Sequence, residues 1–383
     1  MEFDTTTLGQ LSVDGKGSYG IAAPAVPYSD ELYTYLRITD ICDGGTLNKS
    51  GLMSVNADGA EKYLLEENDI VFARTGNSTG RNYFYDGSDG RFVYAGFLIK
   101  FSLDSQKVNP RFIKYYCQSK NYWGWVQSFN TGSTRGNINA KDFANMEIVI
   151  PSREQQDFLV NILKPIDEKI KLNQRINDNL RQQAQEIYMS RFTDTNGCLA
   201  NICQYSKEKT LVSQLTLDNY YSTENMLPEK GGSVQAASLP TTVQTTYCGP
   251  GDVLVSNIRP YFKKIVYCSS EGGCSTDVLC FTPKEEKLSA YLFYTLYADK
   301  FFDYMLAGSK GTKMPRGDKQ QIMTYPIHVP SDTELTDYNS IAQPILTKIE
   351  KNREENLHLT ALRDTLLPKL MSGEIDVSSL KTS

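Results

Sequence analysis

Two long stretches of the chain carry a narrow stripe of apolar residues among charged and amide side chains. The first covers residues 154–191, where apolar positions recur at steps of three or four. These positions are Leu159, Ile162, Ile166, Ile170, Leu180, Ala184 and Ile187. A stripe this narrow is typical of a coiled-coil helix, which cannot bury its apolar side alone. The pattern therefore predicts a long helix that needs a partner helix.

The partner is a second stretch at an offset of 179 positions, which places Pro165 on Pro344. The strand-like segment before each helix also matches, residues 147–152 against 326–331. The matched stripe positions include Ile162 with Ile341, Ile166 with Ile345, Ile170 with Ile349, Asn173 with Asn352, Asn177 with Asn356, Leu180 with Leu359 and Ile187 with Leu366. Agreement on two polar interruptions indicates an internal repeat.

The asparagines in the two stripes allow two interpretations. Buried asparagines cost stability but fix register and orientation in a coiled coil. Alternatively, drift of the stripe leaves them exposed. If the helices pack antiparallel, Asn173 lies level with Asn356 and Asn177 with Asn352.

Each half of the chain reads as a mixed globule that ends in one of the long helices. The predicted elements are an extended run at 33–41, strands at 69–73, 93–102, 251–255 and 277–282, and helices at 111–130 and 289–306. The predicted fold is α+β, with two pseudo-repeated globular domains, each followed by a long helix, and the two helices forming an antiparallel coiled coil. The predicted bounds are 1–152 and 193–331 for the globules, 153–192 and 332–374 for the helices, and 375–383 for a tail.

Composition excludes several classes of protein. No run approaches the roughly 18 apolar residues of a membrane span, and residues 1–20 have no apolar core of a signal peptide, so we expect a cytoplasmic protein with no membrane partner. The eight cysteines contain no C-x2-C pair and there are only two histidines, which predicts reduced thiols, no metal site and no cofactor. A net charge of −5 is only weak evidence against nucleic acid, because binding depends on local faces.

Two loops in each half mix glycine, serine, threonine and asparagine with arginine or lysine. Glycine lets backbone amides approach a phosphate, arginine fits the edge of guanine, and asparagine fits adenine. Any one loop alone is better read as a solvated turn, but recurrence in both halves favours DNA contacts. The candidates are Arg74, Asn77, Arg81, Ser133, Arg135, Asn137, Asn257, Arg259, Lys263, Lys310, Lys313 and Arg316. We expect the arginines to read bases and the lysines to hold phosphates.

The glycine-rich run at residues 15–20 lacks the preceding strand and the following Lys-Ser/Thr of a phosphate loop. We interpret it as a turn that faces DNA, with Lys16 and Tyr19 as its candidate contacts.

These features resemble the specificity subunit of type I restriction-modification systems. The resemblance is carried by GKGSYGIA at 15–22 with YLRITDI at 35–41, by the Ile-x-Ile-Pro ending at Pro151, by LRDTLLPKLMSGEI at 362–375, and by the repeat itself. It implies two target recognition domains, each reading one half of a bipartite asymmetric DNA site, with the helices setting the spacing. It also implies no catalysis by the chain itself, and assembly with double-stranded DNA, two methyltransferase subunits and restriction subunits.

Apolar residues near the end of the second helix exceed what a two-helix seam buries. We expect them to be exposed and to dock a methyltransferase subunit, or else to cap the globule beneath. The candidates for partner binding are Gln155, Gln156, Leu366, Leu367, Leu370 and Met371.

Two other classes remain as alternatives. An adenine methyltransferase needs a glycine-rich cofactor turn and an Asn/Asp-Pro-Pro-aromatic segment, and the chain has neither; Arg259-Pro260-Tyr261 has one proline. No catalytic constellation is visible. A coiled-coil scaffold without nucleic-acid binding is the stronger alternative, although it leaves the twinned basic loops unexplained.

Overall fold

The computed structural model describes residues 3–129, 136–311 and 313–375. The chain divides into two compact units. Unit one comprises Met1–Ile170 with Leu357–Ser383, and unit two comprises Lys171–Asn356. Each unit thus contains one globule and a segment of both long helices.

The described residues of unit one form ten strands, three short α-helices and part of both long helices. The strands are β1 (Phe3–Thr7), β2 (Ser18–Tyr19), β3 (Ala25–Val26), β4 (Tyr33–Leu36), β5 (Met53–Val55), β6 (Asp69–Ala73), β7 (Asn82–Phe84), β8 (Phe92–Tyr94), β9 (Leu98–Ser102) and β10 (Glu147–Pro151). The helices are α1 (Pro110–Tyr116), α2 (Lys120–Gln127), α3 (Ala140–Ala144) and the long α4 (Arg153–Arg191). Two four-stranded sheets have the orders β2-β9-β6-β7 and β3-β5-β4-β8, and β1 pairs with β10.

Unit two repeats this plan. Its strands are β11 (Gly197–Cys198), β12 (Cys203–Tyr205), β13 (Lys209–Leu211), β14 (Tyr220–Tyr221), β15 (Gln244–Cys248), β16 (Val253–Ser256), β17 (Ile265–Tyr267), β18 (Gly272–Cys274), β19 (Val278–Pro283) and β20 (Pro326–Ile327). Its helices are α5 (Ser289–Tyr297), α6 (Asp299–Ala307), α7 (Lys319–Met323) and the long α8 (Asp332–Ser372). The sheets have the orders β12-β19-β16-β17 and β13-β15-β18-β14, and β11 pairs with β20.

Equivalent strands at the centre of each unit explain why the two halves fold alike. Both β6 and β16 are buried along their length, as expected for continuous apolar runs between antiparallel neighbours. An aspartate fixes the turn before each strand: Asp69 accepts the amide of Glu66 at 2.8 Å, and Asp252 accepts that of Gly249 at 2.9 Å. The repeat found in the helices therefore extends to the globules.

The long helices pair antiparallel, as predicted. In unit two, Asn173 Nδ2 donates to Asn356 Oδ1 at 2.9 Å, and Asn352 Nδ2 donates to Asn177 Oδ1 at 2.7 Å. Residue numbers therefore increase along α4 in the direction in which they decrease along α8, as in an antiparallel pair. Asn173, Asn177 and Asn352 are buried, which decides between the two interpretations in favour of buried asparagines.

The end of α8 is part of the core of unit one. Leu367 and Leu370 are 6% and 5% exposed and share a cluster with Leu159, Leu163 and the side chains of α1. Leu366 and Met371 pack against the same cluster. Leu367 and Leu370 are therefore covered by the globule beneath and not exposed as expected, whereas Leu366 and Met371 are half-buried.

Three predicted elements are broken in the structure. The helix predicted at 111–130 is α1 and α2, because Ser119 caps a new helix by accepting the amide of Tyr122 at 3.3 Å. The helix predicted at 289–306 breaks at Ala298, which has extended geometry (φ −65°, ψ 138°). The strand predicted at 93–102 is β8 and β9, and only β4 forms from the run at 33–41. No helix among the described residues is long and apolar enough to cross a membrane.

Candidate nucleic-acid interface

Three turns of unit one meet at Arg74, the first residue after β6. The amide of Arg74 donates to the carbonyl of Phe97 at 3.1 Å, in the turn before β9. Its carbonyl accepts the amide of Ile138 at 2.9 Å, in the segment before α3. Thr75 forms an isolated bridge with Asn137. The loop that follows β6 is therefore hydrogen-bonded to residues 137–138, the described end of the second candidate loop.

Unit two builds the same junction around Asn257, the first residue after β16. The amide of Asn257 donates to the carbonyl of Asp277 at 2.8 Å, before β19. Its carbonyl accepts the amide of Gly317 at 3.4 Å, before α7, and Ile258 bridges Arg316. Arg74 and Asn257 are thus equivalent, and we call them the hub residues.

The hub side chains carry polar atoms without partners among the described residues. These atoms are Nε of Arg74 and Oδ1 of Asn257, and both are inaccessible to solvent. Nε of Arg259 is also inaccessible to solvent and has no hydrogen-bond partner among the described residues. A buried polar group left without a hydrogen bond costs about 1–3 kcal/mol. Both hub positions have such an unpaired atom. This is expected if a ligand supplies the missing hydrogen-bond partner in each unit.

The surface around Arg74 combines aromatic, amide and basic side chains. The guanidinium carbon of Arg74 lies 5.0 Å from the centre of the Tyr19 ring, a cation–π arrangement. The hydroxyl of Tyr19 accepts the amide of Ala140 at 3.2 Å, which ties the glycine-rich turn to α3. Lys16, Asn77 and Asn137 are exposed.

Arg81 is not brought to this surface. Its guanidinium donates to both carboxylate oxygens of Asp43, at 2.8 and 3.2 Å, and to the carbonyl of Ile41 at 3.3 Å. It lines a cavity with Arg363 and Leu367 of α8. We interpret Arg81 as a residue that stabilises the Asp43 loop. Ser133 and Arg135 lie outside the described residues.

Carboxylates accompany three of the five candidate cations of unit two. Lys263 contacts Asp299 at 3.0 Å, and Lys230 contacts the same carboxylate at 2.8 Å. The hydrogen bonds from Lys230 and Lys263 lower the pKa of Asp299, and the bond to Asp299 raises the pKa of Lys263. These cations are already partly neutralised by the fold.

The second loop of unit two shows the same arrangement. Lys310 contacts Asp318 at 2.6 Å, and Arg316 contacts Asp277 at 3.2 Å. The backbones of Lys310 and Arg316 also donate to each other, at 2.9 and 3.0 Å. Lys313 is exposed, and no carboxylate of the described residues forms an ion pair with it.

Sequence reasoning missed the acidic residues and several exposed rings of these surfaces. Asp43, Asp277 and Asp299 are far in sequence from the cations they contact, so spacing gives no signal for them. Phe97 is 60% exposed beside Arg74, and Tyr261 and Phe262 are exposed beside Arg259. The sequence gives a signal only for Tyr261 and Phe262, which lie among basic residues in the segment 259–264.

The residues predicted to bind partner subunits are buried or half-buried. Gln156 is 2% exposed; its Oε1 accepts the amide of Asn109 at 2.9 Å and its Nε2 donates to the carbonyl of Pro151 at 2.9 Å. Gln155 is half-buried. Among the described residues, no cluster of three or more histidine, cysteine or acidic side chains could hold a metal ion.

The chain is similar in sequence to several known proteins. The model of the type I restriction modification DNA specificity domain matches residues 29–182. The HindI specificity subunit of Haemophilus influenzae is 26% identical over 139 residues, which cover 36% of this chain and 30% of that subunit. The MjaIX specificity subunit of Methanocaldococcus jannaschii is 22% identical over 310 residues, or 71% of each protein.

The fold agrees with these sequence matches. The crystal structure of a type I S subunit from M. genitalium superposes with a TM-score of 0.54 at 16% identity, covering 97% of this chain and 96% of that one. At this low identity, the superposition shows a shared fold. The chain is therefore similar to the specificity subunits of type I restriction-modification systems, in sequence over residues 29–182 for the domain model and in fold over nearly its whole length.

Proposed function

We propose that this chain recognises double-stranded DNA and that each unit reads one half of a bipartite, asymmetric site. The observation that supports this most directly is the pair of equivalent hub residues, each with a buried polar atom that lacks a partner among the described residues. Edges of DNA bases supply hydrogen-bond donors and acceptors that fit such atoms.

The two hubs differ in the chemistry they offer. The guanidinium of Arg74 fits the O6 and N7 acceptors of guanine, whereas the amide of Asn257 fits the N6 and N7 groups of adenine. Arg259, two residues beyond the second hub, adds another guanidinium. A shared scaffold with different hub side chains is what two unlike half-sites require.

Lysines around the hubs would contribute phosphate contacts. Lys16 and Lys313 are exposed and suited to this role. Lys263 and Lys310 would have to exchange their contacts with Asp299 and Asp318 for phosphate, so they should contribute less.

The proposed assembly follows the family. The chain would act as a non-catalytic subunit that binds two methyltransferase subunits, with restriction subunits completing the nuclease. Gln155, Leu366 and Met371 are half-buried and partly accessible for docking, whereas Gln156, Leu367 and Leu370 are buried and would act through the fold.

The test uses the chain reconstituted with its methyltransferase subunits. Methylated sites on genomic DNA are identified by sequencing, first for the wild type and then for Arg74→Ala and Asn257→Ala. Each variant should relax one position in one half-site, at a cost of about 1–3 kcal/mol on the cognate site. Lys62→Ala, at an exposed lysine of unit one, is the control and should leave the sequence unchanged. Equal degradation of both half-sites by Arg74→Ala would rule out two independent readers.

The scaffold alternative makes a different prediction and is not favoured by the family matches. A protein without phosphate contacts shows no steep fall of affinity with salt. Titration of the reconstituted complex with duplex DNA at two salt concentrations separates the two functions.

A further inference from the structure

Unit two exposes a pair of aromatic rings beside its hub. Tyr261 is 44% and Phe262 is 36% exposed, and their ring centres are 4.7 Å apart at an angle of 57°. They lie in the 3-10 turn Pro260–Phe262, which follows Arg259. Two exposed rings bury little apolar area in the free protein. Their contribution to folding therefore does not account for their position at this turn.

The backbone that presents these rings is strained. Five non-glycine residues of the described chain have positive φ, and four of them meet at this turn. They are Glu229 (52°), Lys230 (61°), Arg259 (52°) and Lys263 (49°). Left-handed geometry is unfavourable for residues with a side chain, and it persists only where surrounding contacts impose it. Such strain is concentrated at functional sites.

Specific contacts hold the strained turn in place. The amide of Glu229 donates to the carbonyl of Phe262 at 2.8 Å, and the amide of Lys230 donates to that of Lys263 at 3.0 Å. Asp299, at the start of α6, contacts both lysine side chains. The ring of Phe262 also lies 5.8 Å from Nζ of Lys264, which donates to the carbonyl of Thr223 at 2.6 Å. The rings are therefore preorganised.

The turn borders the candidate interface. The amide of Arg259 donates to the carbonyl of Pro315 at 2.8 Å, which joins the turn to the loop that carries Arg316. The equivalent turn of unit one is Gly76–Ser78, whose exposed residue is Asn77. The aromatic pair is thus a feature of the second turn and not of the shared scaffold.

We propose that Tyr261 and Phe262 form a stacking wedge that contacts bases and opens one base step at the half-site read by unit two. This inference rests on the proposed DNA recognition. Apolar side chains inserted between base steps unstack them and bend the duplex, and this deformation is itself sensitive to sequence. Arg259 and Lys263 flank the rings, and this arrangement of cations around exposed rings matches the stacking platforms of nucleic-acid binders.

A protein-docking patch is the competing role for the rings. Two rings between cations offer a small apolar area, whereas stable protein interfaces bury about 800 Å² on each partner. The observations therefore favour DNA, and the experiment includes the other outcome.

The test is permanganate oxidation of thymines, which reports unstacked bases. The probe is a duplex carrying the methylated sequence found for the complex, with A·T pairs filling the spacer and flanks, bound by the chain assembled with its methyltransferase subunits. Wild type should make one or two thymines beside one half-site hyper-reactive. Tyr261→Ala/Phe262→Ala should lower that reactivity at least fivefold and weaken binding roughly 5- to 100-fold, with an unchanged salt dependence because no phosphate contact is lost.

Two further variants complete the design. Tyr28→Ala removes a tyrosine that is 54% exposed in unit one, and it should leave the reactive thymines unchanged. Tyr261→Ser alone tests the wedge if circular dichroism shows that the double variant is misfolded, and it should also reduce the reactivity.

The outcomes that overturn the wedge are distinct from those that overturn DNA recognition. No hyper-reactive thymine with bound wild type, or the same reactivity with the variants, would eliminate the wedge while leaving recognition intact. Loss of the methyltransferase subunits from a folded variant would assign the rings to protein docking. Absence of any duplex binding by the wild-type complex would instead remove the proposed function.

Discussion

Asn352 donates a 2.7 Å hydrogen bond from its side-chain amide to Oδ1 of Asn177, inside the seam between α8 and α4. Asn177 in turn donates to the carbonyl of Ile349 at 3.2 Å. Both side chains are buried, with exposures of 1% and 5% for Asn352 and Asn177. Sliding one helix by a turn would leave these amides unpaired in an apolar environment, so the pair specifies register and direction.

Removing one asparagine of this pair should lower the free energy of unfolding by more than removing an exposed asparagine of the same helix. Asn177→Ala leaves Asn352 without its acceptor, and we expect a loss of about 1–3 kcal/mol in the free energy of unfolding. Urea unfolding followed by circular dichroism measures it. Asn179→Ala, on the exposed face of α4, should change stability by less than about 0.5 kcal/mol. Equal effects of the two substitutions would contradict the role of the buried pair.

Replacement of both partners tests specificity separately from stability. In Asn177→Leu/Asn352→Leu the unsatisfied amides are gone, so stability should recover or exceed that of the single variant. Register should become less well defined, because apolar seams tolerate sliding. Distances between spin labels on α4 and α8 should broaden in the double variant and stay narrow in the wild type.

An ion cluster fastens the same two helices to the globule of unit one. Asp167 of α4 contacts Nζ of Lys114 at 2.5 Å, Nη1 of Arg363 at 3.4 Å and the hydroxyl of Tyr115 at 3.0 Å. Burial opposes ionisation, but the ammonium of Lys114 and the guanidinium of Arg363 outweigh it and lower the pKa of Asp167.

Asp167→Asn should therefore destabilise unit one by about 1–3 kcal/mol, because it removes the charged acceptor of Lys114 and one of the two carboxylates that Arg363 contacts. A lowered pKa means that this stabilisation is present above pH ~4, the unfolded value, and is lost as pH falls through the folded value. The variant should lack that part of the acid sensitivity in urea unfolding. Asp178→Asn, at a carboxylate that is 76% exposed, should have little effect.

Sequence patterns were sufficient for features that repeat or that have a local period. The stripe of α4 and the matched asparagines both follow from spacing along one element. Helix breaks were not predicted where no glycine or proline marks them: Ala298 lies between Tyr297 and Asp299, and its extended geometry places Asp299 at the start of α6, where Lys230 and Lys263 reach it.

Contacts between distant segments account for the remaining errors. Leu367 and Leu370 read as surplus apolar residues because the core that covers them comes from α1 and α4, some 200 positions earlier. The loop sequence predicts Arg81 as a DNA contact, but it gives no sign of the ion pair with Asp43, which only the folded sheet brings to it. Such contacts depend on tertiary packing, which local pattern does not encode.

The start of α8 provides a test in acid. Ser331 and Glu334 form reciprocal capping contacts: Glu334 Oε2 accepts the amide and the hydroxyl of Ser331 at 2.8 and 2.7 Å. The bond from the Ser331 amide, followed by its hydroxyl and by His328, lowers the pKa of Glu334 to about 2. Capping-box contacts of this type satisfy otherwise unpaired amides at a helix start.

Because the folded pKa of Glu334 is depressed, its contribution to stability is present above pH ~4.3 and is lost as pH falls to about 2. Glu334→Gln keeps an acceptor but cannot titrate, so the difference in unfolding free energy between wild type and variant should shrink across this window. Urea unfolding at steps between pH 5 and pH 2 follows it. A difference that does not change with pH would contradict the depressed pKa.

The acidic partners of the basic loops predict how each lysine affects DNA binding. Lys313 is exposed and no ion pair engages it within the described residues, so Lys313→Ala should lower the slope of log affinity against log salt by about one unit for any duplex. Lys263 already contacts Asp299, and Lys263→Ala should therefore lower the slope by less.

Removal of the carboxylate should have the opposite effect: Asp299→Asn releases Lys230 and Lys263, and non-specific affinity should rise at low salt while the recognised sequence stays the same. Titration of the reconstituted complex with a random duplex at several salt concentrations measures all three variants. If Lys263→Ala and Lys313→Ala reduce the slope equally, the contact with Asp299 does not persist in solution and both lysines hold phosphate alike.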